Sequence, residues 1–302
     1  MNMKISPRLS IGLPVYNGEK FIKESIDSLI NQTFQNFEII ISDNSSTDAT
    51  EQICKDYVTH DKRIKYYRQS ENKGARANFL KVLGLANGHF FMWAAADDKF
   101  ENNHLENLIQ ALESDNKASV AMSSAKIIDE SGCITSQTDL LQFKNSVFQK
   151  ELSYALALGS KHHYFIYGMW VRTALNNLLP MPNGRYSDRV FILFASTRIK
   201  FILIDEPTYI RRINNIVNWK RYKKTDPKLA SLYSSNIASF KSIYHLYNKL
   251  KSKPSLNESI FTRFKIICLY SFWIMYGTIY SLKIMNPVRK FLKSLGLRSP
   301  LK

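Results

Sequence analysis

Residues 89–98 read His-Phe-Phe-Met-Trp-Ala-Ala-Ala-Asp-Asp, an apolar and aromatic run that closes on two adjacent carboxylates, Asp97 and Asp98. Such hard oxygen donors suit Mg²⁺ or Mn²⁺ accompanying a phosphorylated substrate. The plainer reading makes one of them a cap for a helix near 103–114 and leaves the other in solvent. A second acidic cluster, Ser42-Asp43-Asn44-Ser45-Ser46-Thr47-Asp48, closes the apolar run 37–41. A third turn-like stretch, Pro14-Val15-Tyr16-Asn17-Gly18, follows the apolar run 9–13. Chemistry-bearing residues thus recur where short apolar runs end.

The elements around these clusters must place them together. Runs 9–13, 37–41 and 64–68 have strand length and composition, and the run ending in Asp97-Asp98 suits a strand buried on both faces. Between them lie helical patterns. Phe21, Ile22, Ile26, Leu29 and Ile30 share one side of residues 19–31, a second helix begins at Asp48, and a third covers 75–86. Asp48 and Glu51 are spaced as an N-cap and its N3 partner. Further along, 167–172 reads as a strand, 187–193 as a helix start and 201–204 as another strand. Strands alternating with helices imply a mostly parallel α/β sheet covered on both faces, whose ligands gather at the carboxyl ends of the strands.

Four motifs then occur in order: Pro14-Val15-Tyr16-Asn17, Ser42 through Asp48, Asn72-x-Gly74 and Asp97-Asp98. Together they resemble a family 2 glycosyltransferase of the GT-A fold over roughly residues 8–212. The resemblance implies a nucleotide-diphospho-sugar donor, a divalent metal, and inversion at the anomeric carbon. It divides residues 1–212 into a nucleotide-sugar half (8–100) and an acceptor half (101–212), leaving 213–302 as an α-helical extension. The activity implied is transfer of a hexosyl or N-acetylhexosaminyl group to a saccharide or lipid-linked acceptor, in surface polysaccharide or glycolipid assembly.

Beside the resemblance, residue chemistry suggests roles. An ionised Asp43 only accepts hydrogen bonds and suits a nucleobase N–H, while Tyr16 offers the base an aromatic face with a polar tip. Pro14, Asn17 and the 44–48 cluster are also ordinary turn chemistry, and Asp48 reads as a cap. Asn72 belongs to the third motif, and Arg76, early in its helix, is a minor candidate for phosphate. The family often carries Asp-x-Asp-Asp where this chain has Ala95-Ala96-Asp97-Asp98, so a contact usual to the donor ribose or sugar is missing. Asp97 matches the metal-ligand position and Asp98 is its neighbour. One carboxylate with diphosphate oxygens and waters is adequate for Mg²⁺.

The family places its catalytic base at the start of a helix after a Gly- and Pro-containing loop. Asp188, following loop 180–185, matches that position; the competing reading is an N-cap. After the strand at 201–204, Arg211 and Arg212 match arginines that touch the diphosphate, since arginine presents a forked donor set. The histidine expected next is Ile213, which removes a second protein ligand for the metal.

Composition narrows the rest. Cys54, Cys133 and Cys268 have neither pairing nor metal spacing, which points to a reducing compartment. His162-His163 reads as a surface or acceptor loop. No signal peptide is legible at the start, and neither a Gly-x-Gly-x-x-Gly nor a Walker A motif occurs, against dinucleotide or P-loop chemistry. Residues 1–210 hold 23 basic and 23 acidic side chains, whereas 211–302 hold 19 against 2, a net of +17. Residues 266–282 carry no charge and include Tyr270, Trp273, Tyr276 and Tyr280, and 288–295 form a basic amphipathic pattern on Val288, Phe291, Leu292 and Leu295. An anionic membrane surface is the partner this implies, ahead of nucleic acid, placing the protein on the cytoplasmic face of the cell membrane. Packing of the same helices on the catalytic domain or in a homodimer is the alternative. Two further readings stay open: a glycosyltransferase of soluble acceptors with a dimerising tail, and a non-catalytic nucleotide-sugar or nucleic-acid binder.

Overall fold

A computed structural model describes residues 6–138, 140, 163–181, 187–196 and 198–213, all within one compact unit. The basic extension beyond Ile213, with its uncharged run and amphipathic segment, lies outside the described residues, as do His162 and the loop 182–186. Among the described residues no helix is long and apolar enough to cross a membrane.

The elements in chain order are β1 (Leu9–Val15), α1 (Ile22–Ile30), β2 (Phe37–Asp43), α2 (Thr50–His60), β3 (Ile64–Arg68), α3 (Ala75–Gly84), β4 (Phe90–Trp93), β5 (Lys99–Phe100), α4 (His104–Ser114), β6 (Ala118–Ile128) and β7 (Ile134–Gln137). A 3-10 turn (His163–Tyr167), β8 (Met169–Val171), α5 (Arg172–Asn177), α6 (Ser187–Ser196) and β9 (Lys200–Arg212) complete them. The sheet runs β3-β2-β1-β4-β8-β6-β9-β5, with β7 beside β6. Strands β1 to β4 are mutually parallel; β8 runs opposite to its neighbours β4 and β6, β9 follows β6, and β5 and β7 run back. Most strands therefore point one way, as expected for the GT-A arrangement.

Local sequence explains the first half. All seven residues of β2 and all four of β4 are buried, which suits apolar runs covered by helices on both sides. Helix α1 buries Ile22, Ser25, Ile26 and Leu29 along one stripe. Gly12 lets α3 press onto β1, because a Cβ there would lie 2.6 Å from a Val82 methyl. Pro14 is tolerated in β1 because β4 pairs only as far as Gly12, so the amide proline lacks has no partner to miss.

Several expectations change. β4 stops at Trp93, so Asp97 and Asp98 do not end a strand; they sit in a turn between β4 and the short β5. The expected strand at 167–172 shrinks to Met169–Val171, between a 3-10 turn and α5. β9 continues through Pro207 to Arg212, well past the strand expected at 201–204. Its register against β6 slips between Ser123/Ile204 and Ala125/Tyr209, a bulge that absorbs the proline. The capping box of α2 does not form. Asp48 accepts from the Thr50 amide (3.0 Å) and the Glu19 amide (3.1 Å), while Glu51 pairs with Lys55 and Arg68.

Candidate active site

The carboxyl ends of β1, β2 and β3 form the first half of the site. Register places Val15, Asp43 and Arg68 side by side. Asp43 is fully buried. It accepts hydrogen bonds from the Ser46 amide (2.8 Å), the Tyr66 hydroxyl (2.6 Å) and Arg68 Nη1 (2.9 Å). A carboxylate has about four lone-pair sites, so three partners leave one for a base N–H. Tyr66 and Arg68 were not singled out by the sequence, although a Tyr-x-Arg at the end of the strand beside Asp43 is the signal that would have found them. Tyr16 is 50% exposed at the mouth of this end.

The other motif residues here build the loop. Asn17 stands at φ 52° and Ser45 at φ 67°, two left-handed turns that bring the loops together. Asn17 Oδ1 accepts from the Thr47 amide (2.8 Å), and its own amide donates to Ser46 Oγ (2.9 Å). Asn72 Oδ1 accepts from Asn44 Nδ2 (2.7 Å) and the Gly74 amide (2.9 Å). Asn78, unremarked in the sequence, donates to the carbonyls of Val15 (3.2 Å) and Ser42 (2.8 Å) and so ties β1 to β2. Arg76, the minor phosphate candidate, has Nε and Nη2 on the Met181 carbonyl, at 3.1 and 2.8 Å, linking α3 to the start of the loop before α6.

The acidic turn is the second half. Asp97 is half-buried and Asp98 buried. Asp98 Oδ1 accepts from the Arg212 amide (2.8 Å), and Oδ2 accepts from the Tyr209 hydroxyl. Burial, then the charge of Asp97, raise its carboxyl to about 7 against those hydrogen bonds. Each oxygen thus accepts one hydrogen bond from β9, which ties Asp98, expected beside the metal, to the framework of the last strand. Arg212 is tied in as well. Its guanidinium is buried, and four of its five N–H donors go to carbonyls and Glu24 rather than outward to a diphosphate. Arg211, adjacent on the strand and so directed to the other face, acts electrostatically on Tyr164, Tyr167, Tyr209 and Asp98.

Tyr167 shows which of these groups share one space. Burial, then the charges of Asp98, Asp97 and Asp188, push its phenol far above the ordinary tyrosine value, and Arg211 pulls it back. Asp188 lies in the first turn of α6. Asp97, Asp98, Asp188 and Arg211, separated by up to 114 residues of chain, therefore all exert their charge on one ring. Tyr167 also packs on Tyr209 and Phe79, with ring centroids 6.2 and 6.3 Å away.

Among the described residues no group of three His, Cys, Asp or Glu side chains is placed to cage a metal. Asp97 is the acidic-turn carboxylate at the position expected to meet one. That donor set fits Mg²⁺ or Mn²⁺ carried largely by substrate phosphates and water, and does not fit a resident ion held by protein alone.

Comparison with known proteins gives the family and the fold. The profile of glycosyl transferase family 2 matches residues 10–178, more than half of the chain, and the chain belongs to that family. An uncharacterized glycosyltransferase of Methanocaldococcus jannaschii is 32% identical over 235 residues, 76% of this chain and 78% of that protein. The glycosyltransferase GlyA of Streptococcus pneumoniae is 34% identical over 110 residues, 36% of this chain but only 16% of its own length. An uncharacterized glycosyltransferase of Rickettsia typhi is matched over 38% of its length, so the chain spans well under half of these two relatives. Among solved structures, S. aureus TarS 1–349 aligns with TM-score 0.66 at 19% identity, covering 96% of this chain and 79% of that one. A mannosyltransferase from Pyrobaculum calidifontis, in complex with GDP-Man and Mn²⁺, aligns with TM-score 0.58 at 13% identity, covering 98% and 82%. At such identity these likenesses establish the fold.

Proposed function

We propose that this chain transfers a sugar from a nucleotide-diphospho-sugar to a saccharide or lipid-linked acceptor, in one displacement that inverts the anomeric carbon. The observation that carries the reading is the strand end where buried Asp43, held by Ser46, Tyr66 and Arg68, lies with exposed Tyr16 and suits a base, in a chain of glycosyl transferase family 2. Structural neighbours have been solved with UDP-GlcNAc and with GDP-Man and Mn²⁺, which fits a nucleotide-sugar donor.

In this reading Tyr16 and Asp43 orient the nucleotide, and Arg211 faces the diphosphate. Asp97 would hold a divalent cation, whose charge offsets that growing on the leaving diphosphate. Asp188 takes the proton from the attacking acceptor hydroxyl as the bond to the nucleotide breaks. The oxocarbenium-like state between them is favoured by nearby carboxylates. The strongly basic segment 211–302 supports attachment to an anionic membrane on the cytoplasmic side, near a lipid-linked acceptor.

The test is a donor panel with Mn²⁺, read by mass spectrometry for released nucleoside diphosphate and for product. Turnover of at least one donor that falls to background in Asp97→Asn, with the variant still folded, is the expected result. A folded protein that binds nucleotide-sugars but turns over none with any acceptor class would favour the non-catalytic binder. For the tail, flotation with anionic vesicles should weaken but persist as salt rises, and a full-length monomer indifferent to such vesicles at low salt would refute attachment.

A further inference from the structure

The side chain of Arg212 is 1% exposed, an unusual place for a guanidinium unless its donors are met. They are met from three directions. Nε donates to the Asp97 carbonyl at 3.1 Å. Nη1 donates to the carbonyls of Asp129 and Glu130, at 3.2 and 3.1 Å, in the turn after β6. Nη2 donates to Glu24 of α1 at 2.8 Å, and the guanidinium carbon lies 4.3 Å from the centroid of the Phe21 ring. The backbone amide of the same residue donates to Asp98 at 2.8 Å. One residue therefore grips both members of the acidic turn, Asp97 through its carbonyl and Asp98 through its carboxylate.

We infer that Arg212 is a positioning residue for the Asp97 carboxylate: a buried fork that fixes the turn 95–98 against α1 and the 129–130 turn, and so sets where a divalent cation and its nucleotide can sit. The inference rests on the reading of Asp97 as the metal-bearing carboxylate. The Ala95 carbonyl of the turn has two ties of its own. Ser25 Oγ donates to the Ala95 carbonyl at 3.0 Å, and the Asp98 amide reaches that carbonyl only at 3.4 Å. Three alanines, Ala94 to Ala96, precede the carboxylates and bring no polar side chain to hold the backbone. Only a planar cation with several divergent N–H groups can serve carbonyls on two separate turns and a carboxylate together. A lysine offers three donors at a single point and cannot.

The test uses the full chain with Arg212→Lys, which keeps the charge, and Asp97→Asn. Mn²⁺ affinity is titrated with UDP and, in parallel, GDP present, and the affinity for each nucleotide is also measured without metal. Arg212→Lys should weaken Mn²⁺ about 10–100-fold, the usual cost of losing support behind a metal ligand, and should leave metal-free nucleotide affinity unchanged because that contact lies at the Asp43 end. Unchanged Mn²⁺ affinity in Arg212→Lys, with loss in Asp97→Asn, would overturn this inference alone. Equal loss of metal-free and Mn²⁺-supported binding would also overturn it, since it would mark a general structural role. If Arg212→Lys does not fold, Glu24→Gln decides: its site is half-exposed, it leaves Arg212 in place, and it should weaken Mn²⁺ by a smaller factor, no change being contrary. Should Asp97→Asn bind Mn²⁺ normally, or wild type bind neither nucleotide, the underlying reading fails and this one with it.

Discussion

The Asp43 carboxylate is held by partners 3, 23 and 25 residues away in the chain, whereas that of Asp98 is held by partners 111 and 114 residues away. The first end is assembled by consecutive βα units whose loops meet wherever β1, β2 and β3 pair. The second exists only once β9 has crossed the sheet, paired with β6 and β5, and brought Tyr209 and Arg212 under the acidic turn. Under the proposed function the difference would divide the work: a nucleotide end built locally, and a reaction end that depends on the last strand. Damage to one should spare the other.

The largest break in that comparison should come from Asp188. Asp188→Asn is expected to lower turnover on a true acceptor by about 10²–10⁴-fold, the usual cost of a lost general base, while nucleotide affinity stays unchanged. Near-normal turnover would return the residue to a helix cap.

Next comes the pH response of the reaction end. Asp98 is raised to about 7 by burial and the neighbouring Asp97, so between its unfolded value and 7 the folded state carries the extra proton. Its contribution to stability is full below the unfolded value and is lost as pH rises through about 7. His104, lowered to about 3 by burial, works oppositely: its contribution is full above the unfolded value near 6.5 and is lost as pH falls through about 3. The two oppose one another across mildly acidic pH. In metal-free buffer, Asp98→Asn should therefore gain more stability than wild type as pH rises from 4 to 6.5, and should not share its decline above that. The gap is on the order of 3 kcal/mol across the range. Parallel unfolding profiles for the two proteins would show that Asp98 titrates normally.

Arg68→Met probes the local end. It leaves Asp43 buried with two partners, and because Arg68 is about one-third exposed the cost should be about 1–3 kcal/mol, below that of a fully buried pair. Chemical denaturation measures it. Metal-free nucleotide affinity should fall as well, and a variant that keeps both would remove Asp43's ion pair from the argument. The smallest effect belongs to Tyr16→Ser. Stability should change by less than about 0.5 kcal/mol for a side chain this exposed, yet nucleotide affinity should drop about 5–10-fold through the lost aromatic face. An unaltered affinity would place the base elsewhere.

Legibility followed the same division. Strands β1 to β3 and helices α1 to α3 were readable to within a few residues, because apolar runs of strand length alternate with amphipathic stripes and are punctuated by turn residues. β6 was missed although it lies within the sheet: Ala118–Ile128 carries Ser119, Ser123 and Ser124 and shows no clean apolar period. β9 was read as ending before Pro207, since proline normally breaks a ladder, and only the bulge against β6 accommodates it. Tyr66, Arg68, Asn78 and Tyr209 gave no motif. Each acts through a partner distant in sequence, and their type alone suits a strand or helix face anywhere.

The sequence by itself determined the family, the alternation of strands and helices, and the set of residues able to do the chemistry. Which of two adjacent like residues does it was left to the tertiary structure. Asp97 and Asp98 are chemically the same, as are Arg211 and Arg212. A strand's alternation says that neighbours face opposite ways, but not which one faces the site. Docking of β9 decides this. It buries Arg212 and joins it to both members of the acidic turn, through the Asp97 carbonyl and the Asp98 carboxylate. The physical reason is that pattern encodes only relative orientation, whereas a site is fixed by which face meets the groups that another part of the chain brings to it.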